Sequence, residues 1–189
     1  PEDSSFLVPD GVYDHFKAGI GRRGAEARAA WQKLYDQYAA KYPDLAAELA
    51  AMEKRDLPAN WAKDIPVFPA DAKGLATRES SGQVLNAIAK NVPWVVGGAA
   101  DLNPSTKTFL KGKGTFTAET PAGPNIHFGV REHAMGAIMN GMTLSKLRAF
   151  GSGFLIFSDY GRPPFRLSGL MRIPPLYVFT HDSIGVGED

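Results

Sequence analysis

After about residue 75 the sequence alternates short apolar segments with segments of helical length, and this alternation constrains the fold most. Apolar runs of strand length begin at Trp94, Ile126 and Leu176. A helical pattern with Val84, Leu85 and Ile88 on its apolar side precedes the first run, and a second helix is predicted from residue 131 to about residue 145. Strands that alternate with helices of this length indicate an α/β fold, with a parallel sheet covered by helices on both faces.

Polar residues follow each of the three predicted strands. Residues 101–105 come after the first strand, Glu132 after the second, and residues 181–189 after the third. In folds of this class, ligands bind beyond the carboxyl ends of the parallel strands. The three clusters therefore predict one ligand site at that edge of the sheet.

Each of these features also has a purely structural interpretation. Gly97 and Gly98 suit a tight exit from a strand, and a first-turn Glu132 is stabilised by the partial positive charge of a helix N-terminus. The aromatic residues at positions 154, 157 and 160 have a spacing typical of a broad helical face, which usually packs in a core. His181 can be a buried, hydrogen-bonded histidine. The residues alone leave both interpretations open.

The first 71 residues follow a different pattern and are predicted to form a helical linker segment. One amphipathic helix carries apolar residues at three- and four-residue spacing: Ala27, Trp31, Leu34, Tyr35 and Tyr38. Pro43 ends this helix and allows a second one to begin, with Leu45, Leu49 and Met52 on its apolar side. Residues 57–74 contain three Pro and no sustained period, which indicates a connector. A domain boundary follows, with an α/β domain over residues 72–189.

Composition excludes several classes of partner. The formal net charge is +1 with scattered basic residues, so we expect neither nucleic acid nor a membrane as partner. Without Cys the chain has no disulfide and no thiolate metal site, which fits a reducing compartment, and we expect the cytoplasm or a plastid. The sequence begins at Pro1 and stops after a Gly-rich segment. We therefore expect an internal part of a longer protein, with the α/β domain truncated at its C-terminus.

Four ordered segments resemble the pyrimidine-binding domain of the transketolase family. They read GGAADL, NIHFGVREHAMGAIMNG, GFLIFSDYGRPPFRLSGLM and FTHDSIGVGED. In the first part of the chain, SSFLVPDGVYDHF and LPANW resemble the linker segment of that family. The resemblance implies a thiamine diphosphate-binding fold and the transfer of a two-carbon ketol unit between sugar phosphates. It covers only the middle of such an enzyme.

The resemblance also assigns the residues that bind and activate the cofactor. Glu132 matches the family glutamate that bonds N1′ of the aminopyrimidine and favours its imino tautomer, whose 4′ nitrogen accepts the proton of thiazolium C2. Aromatic side chains enclose the pyrimidine, and by motif position these are Phe154, Phe157 and Tyr160. Asp101 matches an aspartate close to the cofactor. Glu132 and His181 are thereby the predicted catalytic residues.

Substrate and partner assignments come from the same resemblance. Arg78, Ser105 and His181 match positions that hold the sugar phosphate, and Asp189 matches an aspartate that contacts a substrate hydroxyl. The family binds its cofactor between subunits, so a homodimer or a partner chain is implied. That partner's diphosphate-binding domain would hold Mg²⁺ or Ca²⁺, so no metal ligand is assigned to this chain and the isolated chain is predicted to be inactive.

Two other functions remain open from the sequence. A non-catalytic module could keep this fold in order to interact with a partner chain, although the intact Glu132, Phe154 and His181 argue against that function. An enzyme similar to 1-deoxyxylulose-5-phosphate synthase would share the general layout. That family typically reads EQHA where this chain reads REHA.

Overall fold

The computed structural model describes residues 4–182, and the chain divides into two compact units, with the division between Ala50 and Ala51. The first unit is helical: α1 (Val12–Phe16), a π-helical turn (Lys17–Gly21) and α2 (Arg22–Lys41) follow one another. Helix α3 (Pro43–Lys54) begins at Pro43, as predicted, because proline suits the first turn of a helix. The boundary expected between residues 71 and 72 stays a prediction.

The second unit contains a four-stranded parallel sheet. Its strands are β1 (Val95–Ala99), β2 (Asn125–His127), β3 (Arg148–Phe154) and β4 (Leu176–Thr180), in the spatial order β2-β1-β3-β4. All three pairings are parallel, with Gly97 of β1 opposite Asn125 of β2 and Phe150 of β3. The α/β class predicted from the sequence is confirmed.

Helices cover both faces of this sheet. The helices of this unit are α4 (Thr77–Asn91), α5 (Asn103–Thr106), α6 (Glu132–Leu144) and α7 (Arg162–Met171), with a 3₁₀ helix at Ile156–Gly161. Successive residues of a strand point to opposite faces. Accordingly Phe150 packs in a core cluster with Leu85 and Ala89 of α4, and the adjacent Ala149 packs in a second cluster with Met135 and Met139 of α6.

The connector before α4 is anchored to the end of that helix. Asp64 accepts a hydrogen bond from Asn91 at 3.0 Å and forms an ion pair with Lys90 at 3.1 Å. The Asn91 hydrogen bond, with a further contribution from Lys90, holds the pKa of Asp64 below its ordinary value. This part of the chain therefore follows a defined path although it is irregular.

Several details differ from the sequence expectations. Strand β3 was not predicted, and it occupies a central position between β1 and β4. Gly97 and Gly98 do not form the exit of a strand, because they lie within β1. The sequence also offers Thr77 as a cap for the helix before the first strand, but Ala76 is the N-cap residue of α4 and makes no side-chain cap bond.

No helix within residues 4–182 combines the length and the apolar character that a membrane crossing requires.

Candidate active site

The carboxyl ends of the four strands place most of the predicted site residues at one edge of the sheet. Asp101 follows β1, Glu132 follows β2, Phe154 ends β3 and His181 follows β4. This arrangement arises because parallel strands present all their carboxyl ends at the same edge. The sequence predicted this grouping for Asp101, Glu132 and His181, because each follows a predicted strand, but not for Phe154, which ends the unpredicted strand β3.

A cavity of about 600 Å³ lies beside the first turn of α6, and we call it the Glu132 cavity. It brings together four of the predicted residues, Asp101, Glu132, Phe157 and Tyr160. Its remaining wall is formed by residues that had no predicted role: Ala100, Leu102, Val130, Arg131 and His133. The volume is in the range of pockets that enclose small organic ligands.

Glu132 is held in this cavity by the turn that precedes α6. Gly129 has a φ of +69°, a left-handed conformation that glycine adopts without strain, and it lets the chain reverse after β2. The Arg131 guanidinium donates to the carbonyl of Phe128 at 3.1 Å, so that side chain fastens the turn. Glu132 is 7% exposed and takes part in none of the salt bridges of residues 4–182. A buried carboxylate without an ionic partner is available to a ligand.

The three predicted aromatic residues form a chain of neighbouring rings, although not on one helical face. Phe154 ends β3, whereas Phe157 and Tyr160 belong to the 3₁₀ helix. Ring centroids are 6.1 Å apart between Phe154 and Phe157, and 6.3 Å apart between Phe157 and Tyr160. Phe157 and Tyr160 line the Glu132 cavity, while Phe154 stands edge-on to the His181 ring at 4.7 Å.

A second cavity, of about 450 Å³, contains Arg78 and His181, and we call it the Arg78 cavity. The Nε atom of Arg78 and the hydroxyl of Thr180 are both buried and have no hydrogen-bond partner among the described residues. Native structures rarely leave such groups unpaired. A donor pair of this kind beside an imidazole suits an anionic ligand.

Asp182 connects this second cavity to the aromatic residues. Its carboxylate accepts a hydrogen bond from the backbone N–H of Ile156 at 2.5 Å, at the first residue of the 3₁₀ helix. Asp182 lines the Arg78 cavity directly after His181. Neither Thr180 nor Asp182 was singled out within the predicted cluster, although both adjoin His181 in the sequence.

Two predicted residues lie elsewhere. Ser105 is part of the short helix α5, is half-buried and lines neither cavity. Asp189 lies outside the described residues. Within residues 4–182, no group of three or more His, Asp or Glu side chains is placed to hold a metal ion.

Comparisons with known proteins agree with the resemblance seen in the sequence. The family model described as the transketolase pyrimidine binding domain matches residues 73–189, and the one described as the transketolase thiamine diphosphate binding domain matches residues 1–58. The second match lies inside the segment of residues 1–71 that is predicted to be a linker.

Relatives with known names are transketolases. The chain is 50% identical to a transketolase of Geobacillus stearothermophilus over 97% of its length, and 48% identical to one of Bacillus subtilis (strain 168) over 99%. It spans only 28% of the length of each of these relatives.

Among solved structures, a transketolase from Pichia stipitis in complex with sedoheptulose-7-phosphate matches 98% of the chain with a TM-score of 0.86 and 42% identity. The chain covers 28% of that protein. An enzyme similar to 1-deoxyxylulose-5-phosphate synthase is therefore not favoured. Because the pyrimidine-domain model matches more than half of the chain and the relatives are similar along nearly all of it, the chain belongs to the transketolase family.

Proposed function

We propose that this chain supplies the pyrimidine-binding part of a thiamine diphosphate-dependent transketolase, a transferase that moves two-carbon ketol units between sugar phosphates. The observation that carries the proposal is the Glu132 cavity, in which a buried carboxylate at the start of α6 shares a wall with Asp101, Phe157 and Tyr160. Family membership supports it.

The residues of the Glu132 cavity fit an aminopyrimidine. Such a ring has a flat apolar face and a polar edge, and Phe157 and Tyr160 provide aromatic surface for the face. Glu132 provides an acceptor, or a shared proton, for N1′ at the edge. Because Glu132 is shielded from water, a hydrogen bond made there is stronger than the same bond on the protein surface.

In this function the bound cofactor supplies a nucleophilic carbon, C2 of its thiazolium, which accepts the two-carbon unit. Glu132 would hold a proton at N1′ of the bound aminopyrimidine and so favour the imino tautomer at its 4′ nitrogen, which would supply the base for the C2 proton. Phe157 and Tyr160 would keep water away from this exchange. Asp101 also lines the cavity.

The Arg78 cavity would hold the phosphate end of the sugar. Its unpaired Arg78 Nε and Thr180 hydroxyl are donors, and His181 adds an imidazole that can assist the reaction as well as bind. Ser105 and Asp189 are retained in the proposal as further substrate contacts on the strength of the motif match alone.

Several parts of the proposal concern the rest of the enzyme. The diphosphate of the cofactor and its divalent metal, Mg²⁺ or Ca²⁺, would be held by a partner chain or by the second subunit of a homodimer. Residues 1–71 would connect the two cofactor-binding domains, with the boundary before residue 72. The cofactor's location between subunits makes association part of the function, and a reducing compartment, cytoplasm or plastid, remains the proposed location.

Replacing Glu132 by Gln in the complete enzyme tests the proposal. Gln cannot share a proton with N1′ in the same way, so deuterium exchange at the cofactor C2 should slow by about 10²- to 10⁴-fold. The melting temperature should change little, because loss of the helix-dipole interaction is worth only about 0.3 to 1 kcal/mol. Exchange is followed by proton NMR after acid quench, with melting measured on the same samples.

Glu79→Gln is the matched control. Glu79 is also in the first turn of a helix, α4, but it pairs with Lys107 at 3.3 Å and lies outside the Glu132 cavity. This variant should leave C2 exchange unchanged. If the Glu132→Gln enzyme exchanges at the wild-type rate and only melts earlier, Glu132 serves the helix and a non-catalytic module becomes the better description.

A further inference from the structure

Three buried hydroxyl groups, those of Thr106, Thr108 and Ser152, meet between strand β3 and the segment that follows β1. The oxygens of Thr108 and Ser152 are 2.6 Å apart, those of Thr106 and Thr108 are 2.9 Å apart, and those of Thr106 and Ser152 are 3.0 Å apart. All three residues are at most 1% exposed. Nothing in the sequence indicates this cluster, because Ser152 is more than forty positions from both threonines.

The cluster joins the sheet to the loop that follows β1. Ser152 belongs to β3 and also donates to the carbonyl of Gly98 in β1 at 3.2 Å. On the loop side, Thr106 donates to the carbonyl of Leu102 at 2.9 Å and Thr108 donates to the side-chain oxygen of Asn103 at 3.1 Å. Ser152 is thus the member of the cluster that lies on the sheet.

The loop held in this way forms part of the cavity wall. Ala100, Asp101 and Leu102 all line the Glu132 cavity. Asp101 has a φ of +61°, which is unfavourable for a residue with a side chain and persists only when the surroundings enforce it. The hydroxyl of Thr106, a member of the cluster, bonds the carbonyl of Leu102, the residue immediately after Asp101.

We infer that Ser152 is a positioning residue, whose hydroxyl holds the Asp101–Leu102 wall against the sheet so that the cavity is shaped for the aminopyrimidine before the cofactor binds. That the ligand is an aminopyrimidine rests on the proposed function, whereas the effect of Ser152 on the wall is independent of it. Preorganisation of this kind improves affinity, because less freedom is lost on binding.

We expect a protein without this hydroxyl to fold, because both threonines keep other acceptors. The three hydroxyls have one proton each, so at most three of the six close contacts are hydrogen bonds at one time. Ser152 binds the loop through a proton that lies between its oxygen and that of Thr106 or Thr108. After Ser152→Ala, Thr106 can donate to Leu102 and Thr108 to Asn103, and no hydroxyl is left without an acceptor. The variant loses the connection between loop and sheet rather than the fold.

Hydrogen–deuterium exchange of the cofactor-free complete protein measures the wall directly. In Ser152→Ala, peptides that cover residues 100–108 should exchange about tenfold faster than in the wild type, which corresponds to loss of about one net hydrogen bond. The matched control is Ser168→Ala. Ser168 is also buried and bonds Asn140, Tyr177 and the Pro164 carbonyl, but it lies on α7 and lines neither cavity. It should leave exchange in residues 100–108 unchanged.

Calorimetric titration with thiamine diphosphate and Mg²⁺ measures the consequence for binding. The dissociation constant should rise about tenfold in Ser152→Ala and by less than about twofold in Ser168→Ala, whatever the two melting temperatures are. Thr108→Val removes the loop hydroxyl that lies closest to Ser152, at 2.6 Å, and should give a similar rise, whereas Thr108→Ser keeps the hydroxyl and should restore binding.

The positioning role would be overturned if residues 100–108 of Ser152→Ala exchanged at the wild-type rate, or if their exchange increased equally in Ser168→Ala. Faster exchange with unchanged affinity would overturn its connection to the cofactor. If the wild-type protein does not bind thiamine diphosphate at all, the proposed function fails instead, and the exchange measurement still decides whether Ser152 holds the wall.

Discussion

The Arg78 side chain is partly buried and has an unpaired donor. Replacing it should therefore weaken the binding of a phosphorylated substrate. Its Nε atom has no partner among the described residues, although the side chain lines a cavity with His181. A charge-assisted hydrogen bond to phosphate is worth about 1.5 to 3 kcal/mol, or roughly ten- to hundredfold in affinity. In the complete enzyme, Arg78→Ala should raise the KM of a phosphorylated ketose by this factor.

Kinetics with an unphosphorylated sugar show whether Arg78→Ala removes a phosphate contact or disturbs the whole site. Its KM should change by less than about threefold in Arg78→Ala, because it offers no dianion to the guanidinium. Arg166→Ala is the control, since Arg166 is an exposed arginine of α7 outside both cavities. Steady-state kinetics with both sugars provide the measurement. Equal increases for the two sugars would remove the phosphate role from Arg78.

Single residues could be predicted from the sequence where they belong to a recognisable segment. Glu132, Asp101 and His181 each follow a predicted strand, and the structure places them at the expected edge of the sheet. Thr180 and Ser152 could not be found in this way. Their importance depends on which polar atoms are buried and which atoms meet across the fold, and neither property is visible in local sequence.

At the scale of elements, β3 shows the limit of reasoning from hydrophobic pattern. Its sequence, RAFGSGF, has only small residues around Phe150, so it lacks the apolar run that identified β1 and β4. The strand is nevertheless buried from Ala149 to Gly153 because small residues let Met135 and Met139 of α6 pack closely on it. Strand burial here is achieved by close approach rather than by large apolar side chains.

The same close approach gives Gly97 a packing role within β1. A Cβ atom at this position would overlap with the backbone carbonyl of Phe150 in β3, and a strand backbone cannot move aside without breaking the ladder. Gly97→Ala should therefore reduce the free energy of unfolding by about 1 to 3 kcal/mol.

Gly153→Ala provides the comparison for this substitution. Gly153 lies on β3, and a Cβ atom there would have no neighbour within 4 Å, so the change should stay within about 0.5 kcal/mol. Urea denaturation of both variants measures the difference. Equal stability of the Gly97→Ala and Gly153→Ala proteins would show that β1 and β3 can separate enough to admit a side chain.

At the scale of the whole molecule, the described residues account for only one end of the proposed cofactor. The Glu132 cavity fits the aminopyrimidine, but no cluster of metal-binding side chains exists within residues 4–182. The chain also spans 28% of the length of its named relatives. The proposed function places the binding of the diphosphate and the metal in residues outside this chain or in a partner.

This division predicts how the isolated 189-residue chain should discriminate between ligands. Thiamine and thiamine diphosphate share the aminopyrimidine and differ in the charged diphosphate, which forms charge-assisted contacts worth about 1.5 to 3 kcal/mol each wherever a site exists for it. The isolated chain should bind both weakly, with dissociation constants above about 0.1 mM and within roughly threefold of each other. The complete enzyme should prefer thiamine diphosphate by several orders of magnitude. Calorimetric titration of each protein with each ligand in the presence of Mg²⁺ makes the comparison, and micromolar binding of thiamine diphosphate by the isolated chain would mean that the diphosphate site lies within these 189 residues.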